Sequence, residues 1–140
     1  MKNQEVKFRN GNHSYSILIG ENTLKLLPNK INKLCPKTKK IALIMDSNVP
    51  KKFKKIFNNK LKKYELLFLP FNANEKNKSF NTVNYFTNIL LSKNFNRSDL
   101  IIAVGGGIVG DVVGFVSSIF KRGINFINVP TTLLAQVDSA

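Results

Sequence analysis

Apolar residues along this chain fall into short dense runs separated by polar stretches. Leu100 to Val104 is unbroken and rich in β-favouring residues, which predicts a strand buried on both faces of a sheet. Lys40 to Met45 reads the same way, and Glu65 to Leu69 and Asn125 to Val129 read as further strands. Near the start, Val6 and Phe8 alternate with charged residues, so the span from Val6 to Ile19 predicts a β-hairpin that turns at Asn10-Gly11.

Helical spacing fills the intervals. Asn22 to Leu34 places Leu24, Leu27, Ile31 and Leu34 on one face, with Pro28 in its middle. Pro50 to Tyr64 does the same with Phe53, Ile56, Phe57, Leu61 and Tyr64, and turns its lysines, Lys54 among them, mostly to solvent. Ser79 is expected to cap a helix carrying Val83, Phe86, Ile89 and Leu90. Residues 111–120 are apolar or small and predict a buried helix, which Lys121-Arg122-Gly123 closes. The alternation predicts an α/β fold with a Rossmann-like, doubly wound, mostly parallel sheet, preceded by the hairpin. One domain over 1–140 is expected.

The chemistry gathers where strands end. Gly105, Gly107 and Gly110 satisfy G-x-G-x-x-G directly after a strand. Glycine there permits φ > 0 and removes the Cβ that would hold an anion off the backbone, while the amides of the next helix point at that anion. Asp111 is expected in the first helical turn, facing a hydroxyl-bearing part of the ligand. A tight strand-to-helix turn that needs glycine only for close packing remains open. Residues 46–48, 73–78, 105–111 and 130–132 should emerge together at the carboxyl edge of the sheet, where such folds bind dinucleotides. No acidic residue follows the glycines by about 20 positions, where a ribose partner is usual. Asp46 is expected to take that role, with Asn48 beside it; Ser47 or Asn48 has helix capping as its alternative use.

Composition then trims the field. The chain has 140 residues, 43% hydrophobic and 21% charged, which suits one globular domain. Its net charge of +14 would suggest nucleic acid, but 19 of the 22 basic residues are Lys, whereas base and phosphate readers favour Arg. No specific nucleic-acid partner is expected. No apolar run approaches the length of a membrane span, the first residues lack a signal-peptide core, and Cys35 is the single cysteine, so a cytoplasmic location is expected. Cys35 and the lone His13 compose no transition-metal site.

Three strings resemble the N-terminal part of the 3-dehydroquinate synthase family. They are Gly105-Gly-Gly-Ile-Val-Gly-Asp111-Val-Val-Gly-Phe115, Lys121-Arg122-Gly123, and Val129-Pro-Thr-Thr-Leu-Leu-Ala-Gln-Val-Asp-Ser139. The resemblance implies an NAD-binding α/β domain truncated at its C-terminal end. The family's helical second domain, which holds a divalent metal (Zn or Co), would lie beyond Ala140, so no metal ligand is expected here. It further implies a lyase of the shikimate pathway, converting 3-deoxy-D-arabino-heptulosonate 7-phosphate to 3-dehydroquinate and phosphate, and inactive as this piece alone. Alternatives are another sugar-phosphate cyclase, a metal-dependent polyol dehydrogenase, or a degraded gene product without function.

By resemblance, NAD would contact Asn74, Glu75, Lys76, Asn77 and Lys78 in one loop, and Gly105, Gly106, Gly107, Ile108, Val109, Gly110 and Asp111 at the glycine turn. Thr131 and Thr132 would line its nicotinamide side. Asp138 would meet substrate, and Arg122 would reach substrate phosphate from a neighbouring subunit of a homodimer. A separate chain carrying the second domain is a further implied partner. Ala73-Asn74 replaces the family's usual glycine before Glu75, and Asn74 is expected to tolerate φ > 0 in its place.

Overall fold

The computed structural model describes residues 3–137, in two compact units, one ending at Leu34 and the other beginning at Cys35. In the first, β1 (Gln4–Asn10) pairs antiparallel with β2 (His13–Ile19). Asn10 faces His13, so the turn residues are Gly11 and Asn12, one position later than expected. Gly11 has φ +57° and fills the first central position of this two-residue turn. A single 3₁₀ turn, Thr23–Leu26, leads into α1 (Leu27–Leu34). The one helix expected from Asn22 is therefore two pieces. Pro28 sits at the second position of α1, where an amide would have no intrahelical partner to lose. Glu5 accepts from the Lys30 ammonium at 2.7 Å, and that bond holds the Glu5 carboxyl below its ordinary pKa.

The second unit alternates strand and helix: β3 (Lys40–Asp46), α2 (Lys51–Lys60), β4 (Glu65–Phe71), α3 (Phe80–Ser92), β5 (Leu100–Gly105), α4 (Gly107–Ile119), β6 (Asn125–Pro130) and α5 (Leu133–Val137). The strands form one parallel sheet in the order β4-β3-β5-β6. The chain steps from β3 to one side and then crosses back past it to β5, so right-handed crossovers put α2 on one face and α3 with α4 on the other. Side-chain parity agrees. Ala42, Ile44, Leu69, Phe71, Ile101 and Ala103 share a core with Val83, Phe86 and Leu90 of α3 and with Val109, Val112, Val113 and Val116 of α4. On the other face Phe68 lies under the α2 residue Lys54, whose ammonium is 3.8 Å from the ring centre. Lys54 is thus not a solvated lysine; its stem and charge cover an aromatic ring.

Three helix ends differ from the sequence reading. α2 stops at Lys60, because the chain turns tightly through Leu61 to Tyr64, where Tyr64 N bonds Leu61 O at 2.9 Å. Tyr64 therefore lies off the helical face. α4 begins at Gly107, four residues before Asp111. At its other end Phe120–Arg122 forms one 3₁₀ turn with Lys121 at φ 47° and Arg122 at φ 66°. The Lys121 ammonium donates to Phe95 O at 2.7 Å and so pins this turn to the loop before β5.

The amino edge of the sheet is closed by a buried carboxylate. Asp99, 3% exposed, accepts from Lys39 N and Lys40 N on one oxygen, at 3.2 and 2.9 Å, and from Asn96 N on the other at 2.8 Å. It ties the starts of β3 and β5 together.

Candidate functional site

β3 and β5 are neighbours whose onward connections run in opposite directions, so the sheet has its switch point between their carboxyl ends. Asp46 closes β3 and Gly105 closes β5. A Cβ built on Gly105 would lie 3.1 Å from Asp46 Cβ and 2.5 Å from Val109 Cγ2. Gly105 is therefore glycine for space. None of Gly105, Gly106, Gly107 and Gly110 has φ > 0, which corrects the conformational half of the sequence argument. The packing alternative holds for Gly105, whereas a Cβ on Gly106 would meet only Thr132, at 3.5 Å.

Gly106 is the N-cap of α4, and no side chain caps it. The first-turn amides of a 13-residue helix, those of Gly107, Ile108 and Val109, have no intrahelical partner there and suit an anion. Ile108 is half-buried, and Val109 and Gly110 are buried. Asp111 stands in the second turn, not the first, because helix geometry already begins at Gly107. Its carboxylate meets the Lys78 ammonium at 2.8 Å, and both side chains are nearly half exposed.

The loop before α3 is built around Asn74. It was expected to need φ > 0, yet it is extended at φ −149°, and its side chain accepts from Asn77 N at 3.0 Å. An asparagine serves here by capping the turn Glu75–Asn77, so the missing glycine needs no conformational substitute. Asn77 Nδ2 in turn donates to Asn72 O at 2.8 Å. Glu75 and Lys76 are exposed on this turn. At the β3 tip, Asp46 Oδ1 accepts from Asn48 N and Asn48 Nδ2, at 2.9 and 3.2 Å, and neither Ser47 nor Asn48 caps α2. Ser47 N donates to Phe71 O, which joins that tip to the end of β4.

On the far side of β5, Thr131 N donates to Gly105 O at 2.8 Å and holds the 130–132 segment against the glycine turn. Thr132 Oγ1 accepts from Ala135 N at 3.2 Å and caps α5, while Thr131 is exposed. The carboxyl edge thus brings together Asp46, Asn48, Asn74 to Lys78, Gly105 to Asp111, Thr131 and Thr132. Arg122 is elsewhere. It sits at the opposite end of α4, about 20 Å along its axis. Asp138 lies outside the described residues.

Two features escaped the sequence. Asn72 supplies the carbonyl that organises the 74–77 turn, and only its place just after a strand could have flagged it. Behind that turn a cavity of about 430 Å³ is lined by residues such as Asn72, Lys76, Asn81 and Tyr85. Asn81 and Tyr85 are four apart on α3, a spacing that puts them on one face. Among the described residues no group of three or more His, Cys, Asp or Glu could hold a metal ion, and no helix is long and apolar enough to cross a membrane.

Known proteins supply the remaining test. A 3-dehydroquinate synthase from Pelagibacter ubique (strain HTCC1062) is 46% identical, matching 97% of this chain but 37% of its own length. One from Clostridium botulinum (strain Alaska E43 / Type E3) is 45% identical over 91% of this chain and again 37% of its own. The chain therefore spans less than two fifths of the length of these relatives. A crystal structure of 2-deoxy-scyllo-inosose synthase, complexed with carbaglucose-6-phosphate, NAD+ and Co2+, superposes with a TM-score of 0.84 at 29% identity, covering 99% of this chain and 38% of that one. The family model for the 3-dehydroquinate synthase N-terminal region matches residues 68–140, the stretch that holds the glycine turn and the 74–78 loop, and the chain belongs to the 3-dehydroquinate synthase family.

Proposed function

We propose that this chain is the NAD-binding part, over 1–140, of a 3-dehydroquinate synthase acting on 3-deoxy-D-arabino-heptulosonate 7-phosphate. The observation that carries the reading is the uncapped start of α4 beside Asp46, at the switch point of the sheet. In this reading the amides of Gly107, Ile108 and Val109 hold the pyrophosphate. Asp46, oriented by Asn48, accepts from ribose hydroxyls. Glu75 and Lys78 approach from the 74–78 turn, with Asn74 and Asn77 holding its shape, and Thr131 and Thr132 border the nicotinamide.

Bound NAD supplies a hydride acceptor for a ring hydroxyl of the sugar phosphate. The described residues hold no group of three or more His, Cys, Asp or Glu that fits Zn or Co, so a metal in this reading would need ligands from outside them. Asp138 would contact the sugar phosphate. Arg122, far from the glycine turn, fits a site completed by another subunit. Partners in this reading are a second subunit and sequence that completes the site, in a cytoplasmic setting without nucleic acid.

Calorimetric titration with NAD tests the reading. Gly107→Val puts a branched side chain where phosphate oxygen approaches and is expected to weaken binding at least tenfold. Lys55→Ala, an exposed α2 position, should change it less than twofold. Equal losses for both would mean that diffuse positive charge holds the ligand. The chain alone should release no phosphate from the heptulosonate phosphate; measurable release would refute that part. A second reading, another sugar-phosphate cyclase, draws on the 2-deoxy-scyllo-inosose synthase likeness. Product identity from this chain joined to the part of a relative's length that it does not span separates the two.

A further inference from the structure

An ion pair and a ring pair join the start of α3 to the outward face of α4. The Lys78 ammonium meets the Asp111 carboxylate at 2.8 Å. Two residues later Phe80 opens α3, and its ring stands edge-on to that of Phe115, with centroids 6.2 Å apart and planes at 73°. On α4 the matching residues are four apart, so Asp111 and Phe115 share a face, about 6 Å from each other along the axis. The two contacts are neighbouring rungs between the same two segments.

Phe80 is not a core residue. It is 80% exposed, although Val83, three residues later, is buried in the core that α3 shares with α4. Phe115 is 45% exposed, while Val112, Val113 and Val116 around it are buried. The ring pair therefore removes little surface from water, and its contribution is geometric. Edge-to-face rings have a preferred separation and tilt, which ties the two backbones that carry them. Both flanks of the Lys78–Phe80 segment are already fixed. Asn74 holds the turn before it by accepting from Asn77 N, and Ser79 caps α3 by accepting from Thr82 N at 3.3 Å.

The ion pair cannot supply that geometry by itself. Both of its side chains are nearly half exposed, so solvent screens the attraction, and the lysine gives up rotamer freedom to stay in place. We propose that Phe80 is a positioning residue acting through Phe115: the ring pair sets the spacing of α3 from α4 and so holds Lys78 on Asp111 beside the glycine turn. The inference rests on the reading above, in which Lys78 approaches NAD, and adds to it a residue that tunes affinity without touching the ligand. Without the ring, the 75–78 turn moves off α4. Lys78 and Asp111 then no longer present one fixed pair of charges to the ligand's hydroxyl groups.

Calorimetric titration of the chain with NAD and nuclear magnetic resonance of the Lys78 ammonium test this together. Phe80→Ala is expected to weaken NAD binding about fivefold, within the worth of one aromatic pair, and to leave the melting temperature within about 2 °C. Phe80→Tyr keeps the ring and should keep the affinity. Leu91→Ala, an exposed apolar position at the other end of α3, should change neither quantity. In an Asp111→Asn background Phe80→Ala should cost no further affinity, because the ring acts through the ion pair. The Lys78 resonance of Phe80→Ala should move to its position in Asp111→Asn, with or without NAD. A resonance that Phe80→Ala leaves in place overturns the proposal. So does an undiminished loss of affinity in the Asp111→Asn background, which would put the ring on the ligand itself. If Gly107→Val also leaves NAD binding unchanged, the NAD reading fails, and the resonance alone decides whether Phe80 holds Lys78 on Asp111.

Discussion

The two edges of the parallel sheet carry similar polar residues and use them oppositely. At the amino edge Asp99 is buried and its two oxygens take three backbone amides, while Asn125 Nδ2 reaches Asp99 O and Ser98 O, each at 3.1 Å. Nothing is left over to bind. At the carboxyl edge the start of α4 is uncapped, and Lys78 and Asp111 pair where solvent reaches both. A carboxylate surrounded by main-chain donors holds strands in place; one beside free amides has work still to do.

The largest expected effect lies at the closed edge. Asp99→Ala orphans three amides and should cost about 3 kcal/mol or more in urea unfolding, since hydrogen bonds to a buried charge are each worth about 1.5–3. Asp46→Ala loses two solvent-exposed hydrogen bonds from Asn48 and should cost about 1 kcal/mol, while weakening NAD binding. Comparable stability losses for the two would erase the distinction between edges.

Next comes a pair of adjacent glycines. Gly105→Ala drives a methyl into Val109 and should destabilise by about 1–3 kcal/mol, as overpacking does. Gly106→Ala meets only Thr132 at ordinary contact distance and should leave the melting temperature within a degree or two. A Gly105→Ala protein as stable as its parent would show that the β3–β5 seam is looser than drawn.

Lys78→Ala should move stability by no more than about 1 kcal/mol, because exposed ion pairs contribute little. Its effect on NAD affinity should exceed its effect on stability. The smallest effect belongs to an ion pair at neither edge, Glu5–Lys30. Its carboxyl pKa is lowered by the Lys30 hydrogen bond, so its small contribution is present above the unfolded value and lost as pH falls through the folded one. The difference in melting temperature between the parent and Lys30→Ala should shrink as pH is lowered from 7 past about 4.

Which parts of this were readable in the sequence follows from which forces wrote them. β3 and β5 are buried on both faces, so their residues had to be continuously apolar, and Lys40 to Met45 and Leu100 to Val104 announced themselves. Ser79 was legible as a cap because its hydroxyl does cap, accepting from Thr82 N. The start of α4 was misplaced because Gly106 caps without a side chain, leaving no local mark. Asn74 was assigned to the site for the wrong reason. A left-handed backbone and an extended one that caps a turn both favour asparagine, and only the φ of −149° separates them. The pairing of Lys78 with Asp111 joins positions 33 apart, which no local pattern encodes.

The strand order has a consequence for how the chain is made. β3 pairs with β4 early, but its other side waits for β5: Ile41 meets Leu100 and Met45 meets Val104, each partner 59 residues downstream. At about 5–20 residues per second, β3 emerges from the ribosome several seconds before the strand that will cover that side. Through that interval Ile41 to Met45 is an open, wholly apolar edge with no charge to guard it. Joining β5 to β3 is therefore the step on which yield depends. Slow translation across 46–100 lengthens the exposure, and a chaperone that recognises extended apolar segments would find its binding site there.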